Sequence, residues 1–484
     1  MLTKEQLTTI ENFDFKELLD FMRIEYSTHN TICYNDTMRN EWVNKTAQEF
    51  EEEVLKCATI IQRDFGVKKN IAISSINSYA YICVFLGIVI SGNVVVLLDA
   101  TMKGEQLEAA LRMTDSVACF MEDTPAVISG GMFRSLNDTY VKAMGMPDVK
   151  DLKYEKDNDR LAVIFSTSGV ANNPKYVMLS QKNLMYATLS GVYRLPLESG
   201  FKTLSILPLH HVFEVCCGLL YPMLSGGTIV QNDSPTKLKE NLAKHAPDFI
   251  VAVPTVISAL NMLYHAEVSM VGQSCVSSLK YIIGGGASVQ KELIKDFYDN
   301  GILVIQGYGL TETCASIAMN SVDDFTTDTV GTPMHYSKVK ICDGQIFVSS
   351  PNVMLGYYKN PVATEEVFEG EWLKTGDIGS FDNEGHLIIH GRIKNVIVLP
   401  NGENVYPEEL EEGLNRNRGI EYCKVYGNND RIAVDLFSTM LSEEQLESVV
   451  ATFNKNVRKH QRITIVNVLS EKPTTTALGK PLRR

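Results

Sequence analysis

The densest set of groups able to meet a polyphosphate lies at residues 161–184, LAVIFSTSGVANNPKYVMLSQKNL. A run with the composition of a buried strand enters a Ser/Thr/Gly/Asn/Pro loop holding Lys175, and a Leu/Met-containing helix is expected after it. Such a loop offers backbone N–H groups, the hydroxyls of Ser166, Thr167 and Ser168, and one ammonium to phosphate oxygens. Taken alone, it is equally well an ordinary surface turn. It is not a Walker loop, because GxxxxGK[ST] is absent. Gly479-Lys480 fails the same test, with Thr474 where the first Gly should stand and Pro481 after the Lys. Nor is GGGAS at 284–288 a GxGxxG fingerprint. The P-loop NTPase and Rossmann readings both fall.

Four further segments carry groups of chemical interest. QGYGLTET (306–313) ends a strand pattern with two glycines and then offers Tyr308, Thr311 and Glu312. WLKTGDIG (372–379) puts Asp377 in what reads as a tight turn. HGRIKNVIVLPNGENVYPEELE (390–411) holds Arg392 and Lys394 before a strand and an Asn-Gly turn, and TTTALGKPLRR (474–484) carries Lys480. Each has a bland alternative: a hairpin turn, a solvated charge, a loose tail.

The elements that must position these groups follow an α/β rhythm. Short β-branched runs at 70–74, 94–98, 161–166, 203–208, 249–254, 281–286 and 303–309 alternate with helical stretches such as EEEVLKCATIIQRDF and QKELIKDFYDN. After Asp343-Gly344 the pattern changes to short strands and turns, a small all-β appendage with a hairpin at Asp382–Gly385. From Lys394 it becomes strand, turn, helix, strand, strand, helix, enough for a small α+β domain. A length of 484 residues fits two or three domains at about 150 residues each. The formal net charge of -13 argues against a nucleic-acid partner. Ten cysteines fall in no CxxC spacing and several sit in apolar runs, as reduced, buried thiols of a cytoplasmic protein would. The N-terminal stretch has no apolar core of a secretory signal. Tyr79–Leu98 is apolar but is broken at Ser91-Gly92-Asn93, so it reads as buried helix, turn and strand, with no transmembrane segment.

In their order and spacing these five segments resemble the adenylate-forming (AMP-binding) superfamily of acyl-CoA synthetases, peptide-synthetase adenylation domains and luciferases, over nearly the whole chain. The resemblance implies an α/β N-terminal domain (1–392) of helix-flanked sheets with a small β subdomain. A small mobile α+β domain (393–484) would follow, with Lys394 at the hinge. It implies two half-reactions: a carboxylate and ATP give acyl-AMP and pyrophosphate, then the acyl group passes to a thiol. Such chemistry rests on positioning and charge neutralisation. Thr167, Ser168, Gly169 and Lys175 would hold the β- and γ-phosphates, with Thr167 also near the metal. Tyr308, followed by Gly309, would stack on adenine, and Gly284, Gly285, Gly286 and Ala287 would line the nucleotide and acyl pocket. Thr311 would touch the α-phosphate and Glu312 would hold Mg²⁺. Asp377 would accept the ribose hydroxyls and Arg392 would reach ribose or phosphate. Lys480 would bridge carboxylate and α-phosphate, and the loop at Asn401-Gly402-Glu403 would face the pantetheine arm. His211, in LPLHHVFE, would gate the acyl pocket; otherwise His210 or His211 is a satisfied buried histidine.

The chain departs from the family pattern where Val170 and Ala171 replace hydroxyl residues, and where Asn172 and Tyr176 replace glycines. Thr474 and Thr475 also replace the usual Pro and basic residue, with Pro473 one place early. PLHHVFE, GYGLTET and SPNVMLGYYKNPVAT look most like fatty acyl-CoA ligases. Glu214, where an amino-acid enzyme has Asp, makes an amino substrate a weaker expectation. Lys480 stands four residues from the last, so the acceptor is expected to be CoA or the phosphopantetheine of a separate carrier protein. Three readings stay beside the fatty acyl-CoA ligase. One is a ligase loading a fatty or amino acid onto a separate carrier. Another is a catalytically silent nucleotide- or acyl-binding protein, and the last is a luciferase-like oxygenase, which nothing in the sequence selects.

Overall fold

The computed structural model describes residues 2–36, 39, 41–122, 132–146, 152–167, 174–232, 234–399, 403–417, 419–428, 431–473 and 475. Two large sheets dominate. The first runs 356–357, 176–180, 161–166, 94–97, 70–73, 116–121, 133–135 from edge to edge. Its inner strands are parallel, with Val95 opposite both Ile71 and Val163. Val94–Leu97 is buried along its length, as expected of a strand covered on both faces. The second sheet orders 332–333, 318–319, 303–308, 281–284, 249–252, 202–205, 228–231, 30–36, 41–46. It is parallel from 303–308 through 30–36, with antiparallel strands at either edge.

The helix Tyr79–Ile90 has no polar face, and all of its residues are buried. It packs against the helix Ala47–Phe65, whose start is fixed by a capping box of Thr46 and Glu49. Where the two helices touch, a Cβ on Gly87 would stand 3.0 Å from both the Ala58 amide nitrogen and the Cys57 Cβ. Among the described residues no helix is long and apolar enough to cross a membrane. None of the ten cysteines forms a disulfide.

A third sheet is built from 338–342, 345–349, 372–381 and 368–369, with 387–392 pairing on 372–381. Asp343 (φ +49°) and Gly344 (φ +78°) make the two left-handed positions of its first tight turn. Beyond it, strands 422–428, 431–437 and 465–468 form a small sheet covered by the helices Pro407–Asn415 and Glu443–Asn456. Val405, Leu410, Val425, Val434, Leu436, Leu446 and Val450 give this C-terminal part a core of its own. Its helix Pro407–Asn415 rests on the rest of the chain through His390 Nδ1 to Glu409 at 3.0 Å, the Ser288 hydroxyl to Glu412 at 3.3 Å and Gln290 Nε2 to the Asn415 carbonyl at 2.7 Å.

Three elements depart from the sequence pattern. Residues 176–180 are a strand antiparallel to 161–166, and the helix starts only at Gln181, where the Ser180 hydroxyl accepts from the Asn183 amide at 3.1 Å. The apolar run Tyr-Val-Met-Leu fits a strand covered on both faces, and the Ser cap sets the boundary. Residues 30–46 form an unanticipated edge hairpin of largely polar composition. Thr375-Gly376-Asp377 is no hairpin turn, but lies inside the ten-residue strand Trp372–Phe381, whose pairing shifts register there.

Gly87 gives a direct test of the helix contact. Alanine gains about 1 kcal/mol of helix propensity there and loses a similar amount to crowding, so Gly87→Ala should be close to neutral. Gly87→Val adds bulk without that propensity gain and should destabilise by about 2–3 kcal/mol in urea unfolding.

Candidate active site

Strand ends and the loops after them bring most of the singled-out residues together. Strand 161–166 and strand 176–180 are antiparallel neighbours, so the loop between them is a hairpin loop, and Ser166 pairs with Tyr176 at its base. Thr167 closes the neck: its amide donates to the Lys175 carbonyl at 2.9 Å and its hydroxyl to the same oxygen at 3.2 Å. Ser168, Gly169, Val170, Ala171 and Asn172 lie outside the described residues. Tyr176 is buried in a cluster with Leu107, Leu111 and Cys119.

Lys175 Nζ lies 4.5 Å from the centroid of the Tyr357 ring. The Tyr357 hydroxyl donates to Glu312 Oε1 at 2.8 Å. Glu312 sits in the short turn Thr311–Thr313 that follows strand 303–308. Gly309 opens this turn, and a Cβ there would overlap the Ala315 carbonyl carbon at 2.1 Å, so only glycine fits. Cys314 and Ala315 close the turn at φ +50° and +59°, left-handed conformations that non-glycine residues resist.

A second cluster adjoins the first. Asp377 is 4% exposed; Arg392 Nε donates to its Oδ1 at 2.8 Å and the Tyr308 hydroxyl to its Oδ2 at 2.6 Å. Asp377 and Arg392 are cross-strand partners, and Tyr308 is the last residue of strand 303–308. Burial opposes the charge on Arg392, but Asp377 beside it, with Tyr308 and Glu312, holds its pKa above the usual value. Burial and then Asp377 push the Tyr308 hydroxyl far up, so it stays a donor. The two clusters feel one another, because the Arg392 charge also acts on Tyr357.

A third group of residues surrounds the LPLHHVFE segment, where His210 Nε2 lies 3.9 Å from the Asp99 carboxylate. Asn77 pins the LPLHHVFE segment by donating to the Leu207 carbonyl at 2.7 Å and accepting from the Leu209 amide at 2.9 Å. Burial lowers the pKa of His211, and burial with the neighbouring His211 lowers that of His210; neither Nε2 has a hydrogen-bond partner among the described residues. The Phe213 ring covers Gly285, where a Cβ would stand 2.8 Å from Phe213 Cζ. Gly286 follows at φ +80°, and Gly284 ends strand 281–284; Ala287 comes next in the loop. Glu214 opens a π-helical turn, Glu214–Leu220, and is fully buried. The Ser205 hydroxyl lies 2.5 Å from its Oε1. Its carboxyl lies so close over Gly218 that a Cβ there would come within 2.5 Å of Cδ. Burial raises its pKa to about 8.

Lys394 is exposed just past Arg392, and Glu403 pairs with His460 at 3.1 Å. Asn401, Gly402 and Lys480 lie outside the described residues, as do Thr474 and Thr476. Asp382, Glu384 and His386 also cluster, but both His386 nitrogens already face carboxylates, Asp382 and Asp324, at 2.8 Å. That grouping braces a turn. Tyr357 and Glu214 are the side chains whose part here spacing did not show: the GYY run drew notice only for its general likeness, and Glu214 only for the absence of Asp.

Sheets in this order, with a small β appendage and an α+β C-terminal part, define a mixed α/β fold. It is shared with O-succinylbenzoate CoA synthetase from Bacillus subtilis in complex with ATP and magnesium ion, at a TM-score of 0.77 and 23% identity, covering 94% of this chain and 96% of that one. The profile described as AMP-binding enzyme matches residues 25–358, and the chain belongs to that family, the adenylate-forming superfamily. It is 30% identical over 357 residues to a long-chain-fatty-acid–CoA ligase of Escherichia coli O6:H1, covering 69% of this chain and 62% of that protein. It is 29% identical over 287 residues to a feruloyl-CoA synthase of an Amycolatopsis species, covering 56% and 57%. The match thus spans about three-fifths of the length of these curated relatives.

Glu214 predicts a pH signature. Between its ordinary value of 4.5 and its folded value of about 8, Glu214 is protonated in the folded chain and ionised in the unfolded one. The folded state therefore binds the extra proton, and this group's contribution to stability falls as pH rises through that window. Glu214→Gln keeps the shape and removes the titration. Urea unfolding should show the variant gaining on the wild type by a few kcal/mol between about pH 5 and about pH 8.

Proposed function

We propose that the chain is an ATP- and Mg²⁺-dependent acid–thiol ligase that activates a carboxylic acid as acyl-AMP and transfers the acyl group to the thiol of CoA. The observation that carries this reading is the convergence of Lys175, Tyr357 and Glu312 with Tyr308, Asp377 and Arg392 in two adjoining clusters. The donor set suits the metal: Glu312 Oε2 has no hydrogen-bond partner among the described residues, and a hard divalent cation prefers such oxygens. When bound, that cation supplies charge neutralisation on the phosphates.

The chain's own residues do the rest. Lys175 and the loop after Thr167, with Ser168 and Gly169, hold the β- and γ-phosphates. Tyr308, beside Gly309, stacks on adenine, while Gly284 to Ala287 line the pocket behind it. Asp377 takes the ribose hydroxyls by exchanging the bonds it now makes to Tyr308 and Arg392. Arg392 then turns to ribose or phosphate, and Thr311 contacts the α-phosphate. Lys480 bridges the carboxylate and the α-phosphate as the acyl–oxygen–phosphorus bond forms and pyrophosphate leaves. The C-terminal part, 393–484, turns about Lys394 to bring Gly402 toward the pantetheine arm, and His211 gates the acyl pocket.

The acid is proposed to be apolar, with fatty acids first. The Phe213 ring over Gly285 and the buried, protonated Glu214 support that choice. Glu214 is buried, uncharged and folded onto Gly218, so it offers no anion to an amino acid's ammonium. The similarity to a long-chain-fatty-acid–CoA ligase and to a feruloyl-CoA synthase keeps aryl acids in view.

Pyrophosphate release with ATP, Mg²⁺, hydroxylamine and a panel of fatty, aryl and amino acids tests this without choosing an acceptor. Release should favour fatty acids, and Lys480→Ala should slow it by about 10²–10³. Addition of CoA should then replace hydroxylamine. Folded protein that binds ATP yet releases pyrophosphate with no acid would establish the silent binding protein instead.

A further inference from the structure

The segment 350–358 is bonded on one side to the strand that leaves the phosphate-type loop and on the other to the turn that carries Glu312. Gly356 and Tyr357 pair with Met178 and Val177, and the Tyr358 amide donates to the Tyr176 carbonyl at 2.7 Å. Toward the turn, the Met354 amide donates to the Glu312 carbonyl at 2.8 Å. Asn352 Nδ2 donates to the carbonyls of Thr313 and Ser316 at 2.6 and 2.7 Å. Within the segment, the Tyr357 amide donates to Thr364 Oγ1 at 2.9 Å, and its side chain is 5% exposed. The ring is thus held at its root and along its length.

That single rigid ring touches two charged groups. Its hydroxyl donates to Glu312 Oε1 at 2.8 Å, and its face lies 4.5 Å from Lys175 Nζ. Left to itself, a half-buried glutamate samples several rotamers. One hydrogen bond to a charged acceptor, worth about 1.5–3 kcal/mol, is enough to select one of them. With Oε1 occupied by the phenol, Oε2 is the oxygen that remains to be presented. A cation over the ring face is held by about 0.5–1 kcal/mol or more, so the same ring orients Lys175.

We propose that Tyr357 is a positioning residue: its hydroxyl turns Glu312 Oε2 toward the divalent cation of a metal–nucleotide complex, and its ring sets Lys175 for the phosphates of the same nucleotide. This rests on the reading of Glu312 as the metal-holding carboxylate. A tyrosine that merely filled the core would affect stability and leave metal response untouched.

The test uses Mn²⁺ binding to the full chain with ATP present, read from the electron paramagnetic resonance of free Mn²⁺, beside pyrophosphate release against Mg²⁺ concentration. Tyr357→Phe keeps the ring and removes the hydroxyl. It should weaken Mn²⁺ binding about tenfold, as loss of an outer-shell partner does, and raise half-saturating Mg²⁺ by a similar factor. The KM for ATP at saturating Mg²⁺ should change by less than about twofold, while Tyr357→Leu should raise it about two- to fivefold more. Adding Tyr357→Phe to Glu312→Gln should change Mn²⁺ binding no further, because both act through one carboxylate. Glu312→Asp, which retracts the carboxylate without touching the core, should mimic Tyr357→Phe. Tyr357→Phe or Glu312→Asp with wild-type Mn²⁺ affinity, or a Tyr357→Phe that only melts earlier, would overturn the proposal. If Glu312→Gln itself left Mn²⁺ affinity unchanged, the metal reading of Glu312 would fail, and the role of Tyr357 with it.

Discussion

A carboxylate buried to 4% exposure has to be compensated, and Asp377 meets that demand by drawing three parts of the chain to one point. Tyr308 comes from the end of the parallel strand 303–308 of the second large sheet. Arg392 ends strand 387–392, immediately before the connection into the C-terminal part. Asp377 itself lies in a strand of the small β appendage, at a local shift of register. Removing either partner would strand a charge away from water, so the orientation of these three parts is linked to the state of one side chain. A diol that replaced the two bonds would keep the carboxylate satisfied while freeing Tyr308 and Arg392 for other contacts.

The same site holds ionised groups in pairs or stacks: Asp377 with Arg392, and Lys175 on the Tyr357 ring that also bonds Glu312. Around the LPLHHVFE segment burial works the other way, lowering the pKa of His211 and raising that of Glu214, with the Asp99 carboxylate beside His210 as the charged neighbour. The π-turn at Glu214–Leu220 matters to Glu214. The carboxyl packs over Gly218, where no side chain competes for the space, and so avoids facing the pocket as a free anion.

The fold was legible where period and burial agree. The apolar helix Tyr79–Ile90 and the parallel strands at 70–73, 94–97, 249–252 and 281–284 match their runs in the sequence within one or two residues. The Ser91-Gly92-Asn93 break that argued against a membrane span is the turn between helix and strand. Legibility failed where tertiary pairing overrides local pattern. Strand 176–180 gains its identity from 161–166 beside it, and the polar hairpin 30–46 from the edge of a sheet built two hundred residues later. In the site, Tyr308, Glu312, Asp377 and Arg392 were found because their motifs stand in order. Tyr357 was not, because its role depends on a strand pairing that no local spacing reveals.

That pairing also changes what the departures from the family pattern mean. Tyr176 stands where the common sequence has a glycine, which suggested bulk against an approaching phosphate. In a strand, however, successive side chains alternate between faces. Tyr176 therefore buries its ring among Leu107, Leu111 and Cys119, while Val177 turns to the opposite core. The backbone that would meet a phosphate is closed at Thr167 and Lys175 as a hairpin neck, independent of the side chain at 176. With Val170 and Ala171 in place of hydroxyl residues, the sequence of the loop is poorer in side-chain donors. A loop poorer in donors leans harder on its one ammonium, and hence on the ring that holds Lys175 in place.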